Sequence, residues 1–533
     1  MKTQEVSAEK LLVAIEEKDR RIAELENQVE WLMSQMKLLK SKQFGSSREQ
    51  TDSDQLSIFN EAEANADFTI PEPEITEVKA HYRKRTRLTT DKLPEDLPVE
   101  IIEHELPLKN RICSDCGCEL HTMGREIREE LKIIPAKAVL LRHIQHVYSC
   151  RNCETKSDHV RIVKADMPSP VIKGGFASPE TVAHIAVQKY SMASPLYRQE
   201  QEWKQNGILL SRQTMANWLI KASDNWLLPI YEEMKRRLVK HEVLHADETT
   251  LQVLKEPGKT AQQKSYMWLY RTSGEAKHQI VLYDYQTDRN HARPKSFLKD
   301  FEGYLHADGY DGYHKLPESI IVVGCLAHLR RKFFDAYKTL PKEKRDSSNA
   351  GKGVAYCDKL FALERQFAGL SPDNRFAERE RLSKPLLNEF YTWMDSLTGL
   401  PKSLLGTAVS YAKSQRIYIE RYLLDGRLEI SNNRAERSIK TLVIGRKNWL
   451  FANVPGGART SAVYYSLIVT AKENGLNPFE YLAWIFHNAP NLGKPGYAAT
   501  IDDLLPGSKA LPEKVYTPLP KSADPEKYAW EED

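Results

Sequence analysis

Two short stretches of this 533-residue chain repeat one arrangement: "HADET" around Asp247 and "HADGY" around Asp308. Each sets a carboxylate directly after a His-Ala pair. The apolar residues before each acid ("VLHAD", "YLHAD") read as strand, so both acids sit where desolvating an unpaired charge is costly. A cation offsets that cost. Hard divalent ions such as Mg²⁺ take carboxylate oxygens and retain water. Two such ions can clamp the attacking and leaving oxygens of a phosphodiester. Strand-end caps are the competing reading for both acids. A third carboxylate, Glu436, lies in "LEISNNRAERSIKTLVIGRKNW" (428–449), among Arg434, Arg437, Lys440, Arg446 and Lys447. This stretch opens like a loop and continues like a helix. It reads either as a solvated helix face or as a helix delivering a third metal-binding acid, its cations facing a nucleic-acid backbone.

The segments that must position these acids are periodic. "EVLHADETTLQVL" (242–254), "SYMWLYRT" (265–272) and "QIVLYDY" (279–285) predict three strands joined by loops of hairpin length, an antiparallel meander. "DRNHARPKSFLKDF" predicts a helix. "GYLHADGYDGYHKL" (303–316) starts as a strand and "SIIVVGC" (319–325) is the next, giving the order βββαβ with a further strand. Adjacent central strands would bring the two aspartates to one edge. Residues 326–427 read as mostly helical, an insertion ahead of the Glu436 helix. It opens at Cys325-x₂-His328. One Cys and one His under-ligate a zinc ion, and a strand-end thiol beside a packed imidazole is the other reading.

The N-terminal half carries different chemistry. Cys113 and Cys116 form one CxxC pair, Cys150 and Cys153 a second. Together they can close a tetrahedral Zn²⁺ site with no open position, which supports folding rather than catalysis. Cys118, His143 and His146 are spare candidates, and "AVLLRHIQHVYSC" between the pairs reads as an alternating strand. Seven cysteines without a secretory apolar core argue for thiols or ligands, not a disulfide framework. At 178–223 helical segments are punctuated by Gly207, and Ser211 can cap a helix whose first turn holds Arg212 and Gln213. That pattern is similar to a helix-turn-helix. Residues 8–40 carry a heptad, with Ile15, Ile22, Val29 and Met36 at one seam position, Leu11, Leu25, Leu32 and Leu39 at the other, and Lys18 intruding. The stripe asks for a partner helix, in another chain or in its own domain. In the linker that follows, "KAHYRKRTRLTT" holds Arg83, Lys84 and Arg85 and no acid: a solvated basic linker or a nucleic-acid-contacting arm.

Hydrophobic residues are 41% of the chain, charged residues 28%, and the formal net charge is only +4. A nucleic-acid footprint is therefore local. No apolar run approaches the roughly 18 residues of a membrane span, and the expected location is cytoplasmic. The length implies several domains: a coiled-coil helix (1–45), linker (46–110), zinc-binding domain (111–165), helical DNA-binding domain (166–240), α+β core in two parts (241–325 and 428–475) around the helical insertion (326–427), and a C-terminal segment and tail (476–533). The tail is rich in Pro and charge and is expected to be disordered or loosely draped.

"HADET", "YLHADGYDGY", "CLAHLRRKF" and "NNRAERSIKTLVIGRKNWLF", in that order, together resemble the DDE transposases of the insertion-sequence sixty-six family. The order of parts is similar too, through "NPFEYLAWIF". The resemblance implies a ribonuclease H-like core with a catalytic triad of Asp247, Asp308 and Glu436 holding two Mg²⁺ (or Mn²⁺). It implies binding to the inverted-repeat ends of a mobile element, strand cleavage by water and joining of the 3′-hydroxyls to target DNA. Expected partners are double-stranded DNA, further copies of the chain and accessory proteins of the same element, in a bacterial nucleoid and not at a membrane. Cys325 and His328 resemble a C(2)H signature of transposases with such insertions. Arg434 departs from the pattern, where smaller residues stand in the family. A catalytically silent, domesticated DNA-binding regulator and a nuclease of the same fold are the alternatives.

Overall fold

The structure is a computed structural model that describes residues 138–149, 162–397 and 403–518, with Lys18, Arg21, Met33, Met36 and Ile101. The four CxxC cysteines and Arg83, Lys84 and Arg85 lie outside the described residues. Of the heptad, Lys18 and Met36 are described; both are helical and exposed. Two compact units separate. The smaller spans 67–169 with 516–532. Among its described residues β1 (Val147–Ser149) pairs antiparallel with β2 (Ile162–Lys164).

The larger unit contains 170–515. It opens with α1 (Pro179–Tyr190), α2 (Leu196–Gln205) and α3 (Arg212–Ala222); a π turn at Ser223–Leu227 leads into α4 (Leu228–Leu238). Ser178 and Ser211 cap α1 and α3 by accepting the amides of Thr181 and Thr214. Three antiparallel strands follow, β3 (Val243–Gln252), β4 (Lys264–Thr272) and β5 (Val281–Gln286). After the short α5 (Ala292–Phe297) come β6 (Gly303–His306) and β7 (Ile320–Val323), both parallel to β3. The sheet order is β5-β4-β3-β6-β7, so the meander and the parallel pair meet at β3. Gly303 permits that meeting: its φ is +139°, and a Cβ there would stand 2.3 Å from the Glu242 carbonyl oxygen.

The insertion is helical: α6 (Leu326–Thr339), α7 (Asn349–Phe367), α8 (Pro372–Glu378), α9 (Lys384–Asp395) and α10 (Leu404–Glu420). The chain then returns as α11 (Asn433–Trp449), α12 (Pro455–Glu473) and α13 (Pro478–Asn488). Two hydrophobic cores organise these parts. One joins α1, α3 and α4 to the sheet, α11, α12 and α13, so the helices of the candidate DNA reader share the core of the sheet. The other packs the insertion on Val243, Val323, Leu428 and Ile430. β5 would be a bare edge, an aggregation hazard. Within the buried middle of α12, Ser466 and Thr470 accept the amides of Tyr283 and Val281 at 2.8 and 2.9 Å, which covers that edge. The tail differs from expectation as far as Val515. Leu505, Leu511 and Val515 are buried, and the Val515 carbonyl accepts the Asn477 amide at 2.8 Å. The apolar anchors outweigh the Pro-rich composition there.

Candidate functional site

β3 and β6 pair in parallel register, Val243 with Tyr304, Leu244 with Leu305 and His245 with His306. Carried two residues on, that register sets Asp247 opposite Asp308 on one face of the sheet, because side chains alternate. The extended path continues past β6, since the Ala307 amide donates to Val323. Both histidines of the repeated arrangement are fully buried and stack with centroids 4.4 Å apart. They form a stacked floor on the same face of the sheet, two residues before each aspartate. Glu436 enters in the first turn of α11.

Burial, together with the negative charges of Glu248, Glu436 and Asp308, pushes the Asp247 carboxyl well above the usual carboxylate range. One compensating contact is the Glu248 amide, 2.8 Å from Oδ1. Asp308 Oδ1 accepts the Tyr310 amide at 2.9 Å, a side-chain turn that shapes the loop after β6. The insertion buttresses this loop: a Cβ at Gly309 would meet the Tyr411 hydroxyl of α10 at 2.9 Å. Arg289 spans the rim. It pairs with Glu248 (Nε to Oε1, 2.7 Å) and lies 3.8 Å from Asp308 Oδ2. The Tyr313 hydroxyl donates to the other Glu248 oxygen at 2.6 Å.

Asn432, the residue before α11, does not cap the helix with its side chain. Its amide group instead ties α11 to β3: Nδ2 donates to the Ala246 carbonyl at 2.8 Å, and Oδ1 meets His245 Nδ1 at 3.0 Å. Its backbone N–H donates to Cys325 Sγ at 3.1 Å. One residue thus fixes the helix bearing Glu436 to the strand bearing Asp247 and to the mouth of the insertion. Behind the floor, Glu429 Oε1 is 3.4 Å from His245 Nε2 and accepts Arg434 Nε at 2.8 Å. Burial alone would raise the Glu429 carboxyl; its contacts with His245 and Arg434 hold it well below the usual range. His306, desolvated beside His245, is held well below the ordinary imidazole range.

The cations around Glu436 part company. Arg437 and Lys447 are exposed and Lys440 is half-buried. Arg434 is turned inward to Glu429 and is buried, which corrects the outward placement expected for it. A helix puts only part of a cationic run on its open face. Arg446 is also taken up structurally, since Nη1 donates to the Thr250 carbonyl and ties the far end of α11 to β3. Glu436 Oε2 lies 3.5 Å from Arg331, and Oε1 lies 3.7 Å from His328 Nδ1. Cys325, buried between β7 and α6, has its thiol pushed up to about 12 by burial. The repeated His-Ala-Asp is the sequence signal for His245 and His306. Asn432, Arg289 and Glu429 have no such signal.

The carboxylates stand where the parallel half of the sheet, the insertion and α11 meet, and comparison with known proteins identifies the family that shares these segments. A family model described as transposase IS66 family matches residues 174–460, more than half of the chain. The zinc-finger binding domain of transposase IS66 matches 110–154, a segment described as transposase C of IS166 homeodomain matches 31–102, and the IS66 C-terminal element matches 466–506. The uncharacterized proteins y4hP and y4qI of Sinorhizobium fredii are 30% and 31% identical over 407 and 425 residues. Those alignments cover 73% and 76% of this chain and 72% and 74% of the relatives. The chain belongs to the IS66 transposase family. It carries the family's zinc-finger segment, which contains Cys113, Cys116, Cys150 and Cys153. Among the described residues no helix is long and apolar enough to cross a membrane.

Proposed function

We propose that the protein is a DDE-type transposase that binds the inverted-repeat ends of an insertion sequence, cleaves the DNA strands and joins them to target DNA. The observation that carries this reading is the register of β3 and β6, with Asp247 and Asp308 in line and Glu436 in the helix tied to the same strand by Asn432. The sheet order, with three antiparallel strands followed by two parallel to the first, supports a ribonuclease H-like core.

The donor set fits hard divalent ions. All three groups offer oxygen only, their charges crowd upon Asp247, and the buried Oε1 of Glu436 has no hydrogen-bond partner. Bound Mg²⁺ or Mn²⁺ would supply a nucleophilic oxygen and stabilise the leaving oxygen of an in-line displacement. The chain's own residues do the rest. His245, His306 and Asn432 hold the acids in position, and Arg289 with Glu248 and Tyr313 fixes the rim. Arg437, Lys440 and Lys447 meet the DNA backbone. Cys113, Cys116, Cys150 and Cys153 hold a structural zinc, and the heptad at 8–40 joins chains, so that two element ends are held together.

The test is a strand-transfer assay with pre-cut element ends. Joined product with Mg²⁺ supports the transposase. Hydrolysis without joining identifies a nuclease, and binding without either identifies a regulator.

Base reading falls to α3 in this proposal. Arg212 and Gln213 are exposed in its first turn, and Glu200 accepts the Arg212 amide at 3.1 Å, which holds the helix start against α2. Replacing Arg212 and Gln213 with Ala should lower preference for element ends over random DNA by about tenfold, the scale of one base contact at ~1–3 kcal/mol. Changing Arg83 and Arg85 should weaken all DNA alike and flatten the salt dependence. Gel-shift titrations at several salt concentrations check this. Equal losses on every DNA from both pairs would remove α3 as the reader.

A further inference from the structure

The pair Cys325 and His328 lacked a third ligand in the sequence, and the fold brings one. The ligand atoms of Cys325, His328 and Glu436 all lie within 4.8 Å of one another, the one such group of three among the described residues. Cys325 stands between β7 and α6 as the residue just before the helix, His328 follows in the first turn of α6, and Glu436 stands in the first turn of α11. Two backbone bonds lock this junction: Leu326 N–H to the Ile430 carbonyl at 3.0 Å, and Asn432 N–H to Sγ at 3.1 Å. His328 Nδ1 and Glu436 Oε1 face each other at 3.7 Å, and neither of these buried atoms has a hydrogen-bond partner. A tetrahedral ion with bonds of about 2.0–2.3 Å holds its ligand atoms about 3.3–3.8 Å apart. The observed pair already has that spacing.

We propose that Cys325, His328 and Glu436 form a second, open metal site for a borderline-soft divalent cation, Zn²⁺ above all, and that Glu436 is shared between this site and the Asp247–Asp308 site. Sulfur, imidazole and one carboxylate oxygen select Zn²⁺ over Mg²⁺, whereas an all-oxygen set favours Mg²⁺. Three protein ligands leave the fourth position to water, as in exchangeable rather than structural zinc sites. The thiol proton is released to solvent when the ion binds, and no electrons move. Arg331, beside the other Glu436 oxygen, holds the carboxylate between the two sites. An ion on the Cys325 side takes Glu436 away from the aspartates, so Zn²⁺ antagonises Mg²⁺-driven chemistry. This consequence rests on the proposed function; the binding does not.

The experiment uses the full chain, stripped of metal and dialysed to equilibrium against Zn²⁺, with Co²⁺ as a spectroscopic probe. Wild type should bind about two ions per chain. Cys325→Ser and His328→Asn should each bind about one. The double change Cys113→Ser with Cys150→Ser should also bind about one, and its remaining Co²⁺ should keep a single-thiolate charge-transfer band that Cys325→Ser abolishes. Glu436→Gln should weaken the second ion at least tenfold. If Cys325→Ser does not fold, His328→Asn, at a partly exposed side chain, gives the same reading. Unchanged stoichiometry in His328→Asn overturns the site, whatever the protein does to DNA. In the joining assay, the Zn²⁺ concentration for half inhibition of wild type should rise as Mg²⁺ is raised. Inhibition independent of Mg²⁺ overturns the sharing of Glu436. Two-ion binding in a protein that joins no DNA would leave the metal site standing and defeat the transposase reading instead.

Discussion

Asp247→Asn, Asp308→Asn and Glu436→Gln should each lower both cleavage and joining by at least roughly 10³-fold, the scale on which one member of an interdependent catalytic set is lost. Each change keeps size and hydrogen-bonding capacity and removes one negative charge. The three effects should not add, because losing one oxygen ligand already disables the set. Folding should survive. Asp247 is an acid that burial and its neighbours Glu248, Glu436 and Asp308 all disfavour, so its neutral replacement should leave Tm unchanged or raise it. DNA binding should hold or tighten slightly, since a repulsion with phosphate is gone. The structure also selects the control. Glu248 and Glu429 are acids of the same motifs, but Glu248 holds Arg289 and Tyr313 at the rim and Glu429 holds Arg434 and His245. Asp311 pairs with Lys315 at the surface, 73% exposed, so Asp311→Asn should change nothing. The assignment is lost if Asp311→Asn is as inactive as Glu436→Gln, or if Ca²⁺ supports joining as well as Mg²⁺.

The second large effect concerns the clamp behind α11. Arg271 on β4 is buried, and its guanidinium reaches two helices and the loop between β4 and β5. Nη1 donates to Ser438 Oγ at 2.6 Å and to the Arg434 carbonyl at 3.4 Å, both on α11. Nη2 donates to Glu473 at the end of α12 at 2.8 Å and to Gln279 at 3.0 Å. Nε donates to the Thr272 carbonyl at 3.2 Å. Arg271→Met keeps much of the volume and strands these acceptors. Breaking one side of a buried ion pair costs about 3–5 kcal/mol. Glu473 is 29% exposed and can rehydrate, so the lower end of that range is expected. Urea unfolding should show the midpoint falling with the slope unchanged. Because the clamp also sets the height of α11 above the sheet, activity should fall further than stability explains. Arg271→Lys should recover little, since one ammonium cannot reach all these acceptors. A loss below about 1 kcal/mol would mean that water replaces the clamp, against the burial seen here.

Much of the larger unit was legible in the residues. Short runs rich in β-branched and aromatic residues, bounded by turn residues, located the meander over 242–285; its strands are buried along most of their length, on both faces, so run length and residue type rather than strict alternation carry the signal. The repeated His-Ala-Asp marked equivalent positions on two strands, and those strands turned out to be parallel neighbours in register. Gly207 and Ser211 marked the end of one helix and the cap of the next because both act locally, through φ and through one hydrogen bond. The first part of the tail, to Val515, was misread for the converse reason: composition reports average polarity, while Leu505, Leu511 and Val515 are held by apolar surfaces formed far away in the chain.

Residue types and spacing by themselves determined the chemistry on offer: three carboxylates, a CxxC pair of pairs, and a Cys-His step with no third partner. Tertiary structure alone decided which groups meet. It placed Glu436 within reach of His328 and Cys325 as well as in the field of Asp247. It turned Arg434 from a presumed DNA contact into the buried partner of Glu429. It made Asn432 a tie between α11 and β3 rather than a helix cap. The physical reason is range. Periodicity, caps and turns are written within a few residues, whereas Asp308 and Glu436 both reach the neighbourhood of Asp247 across a helical insertion that packs on Val323 of β7 and returns the chain to the sheet.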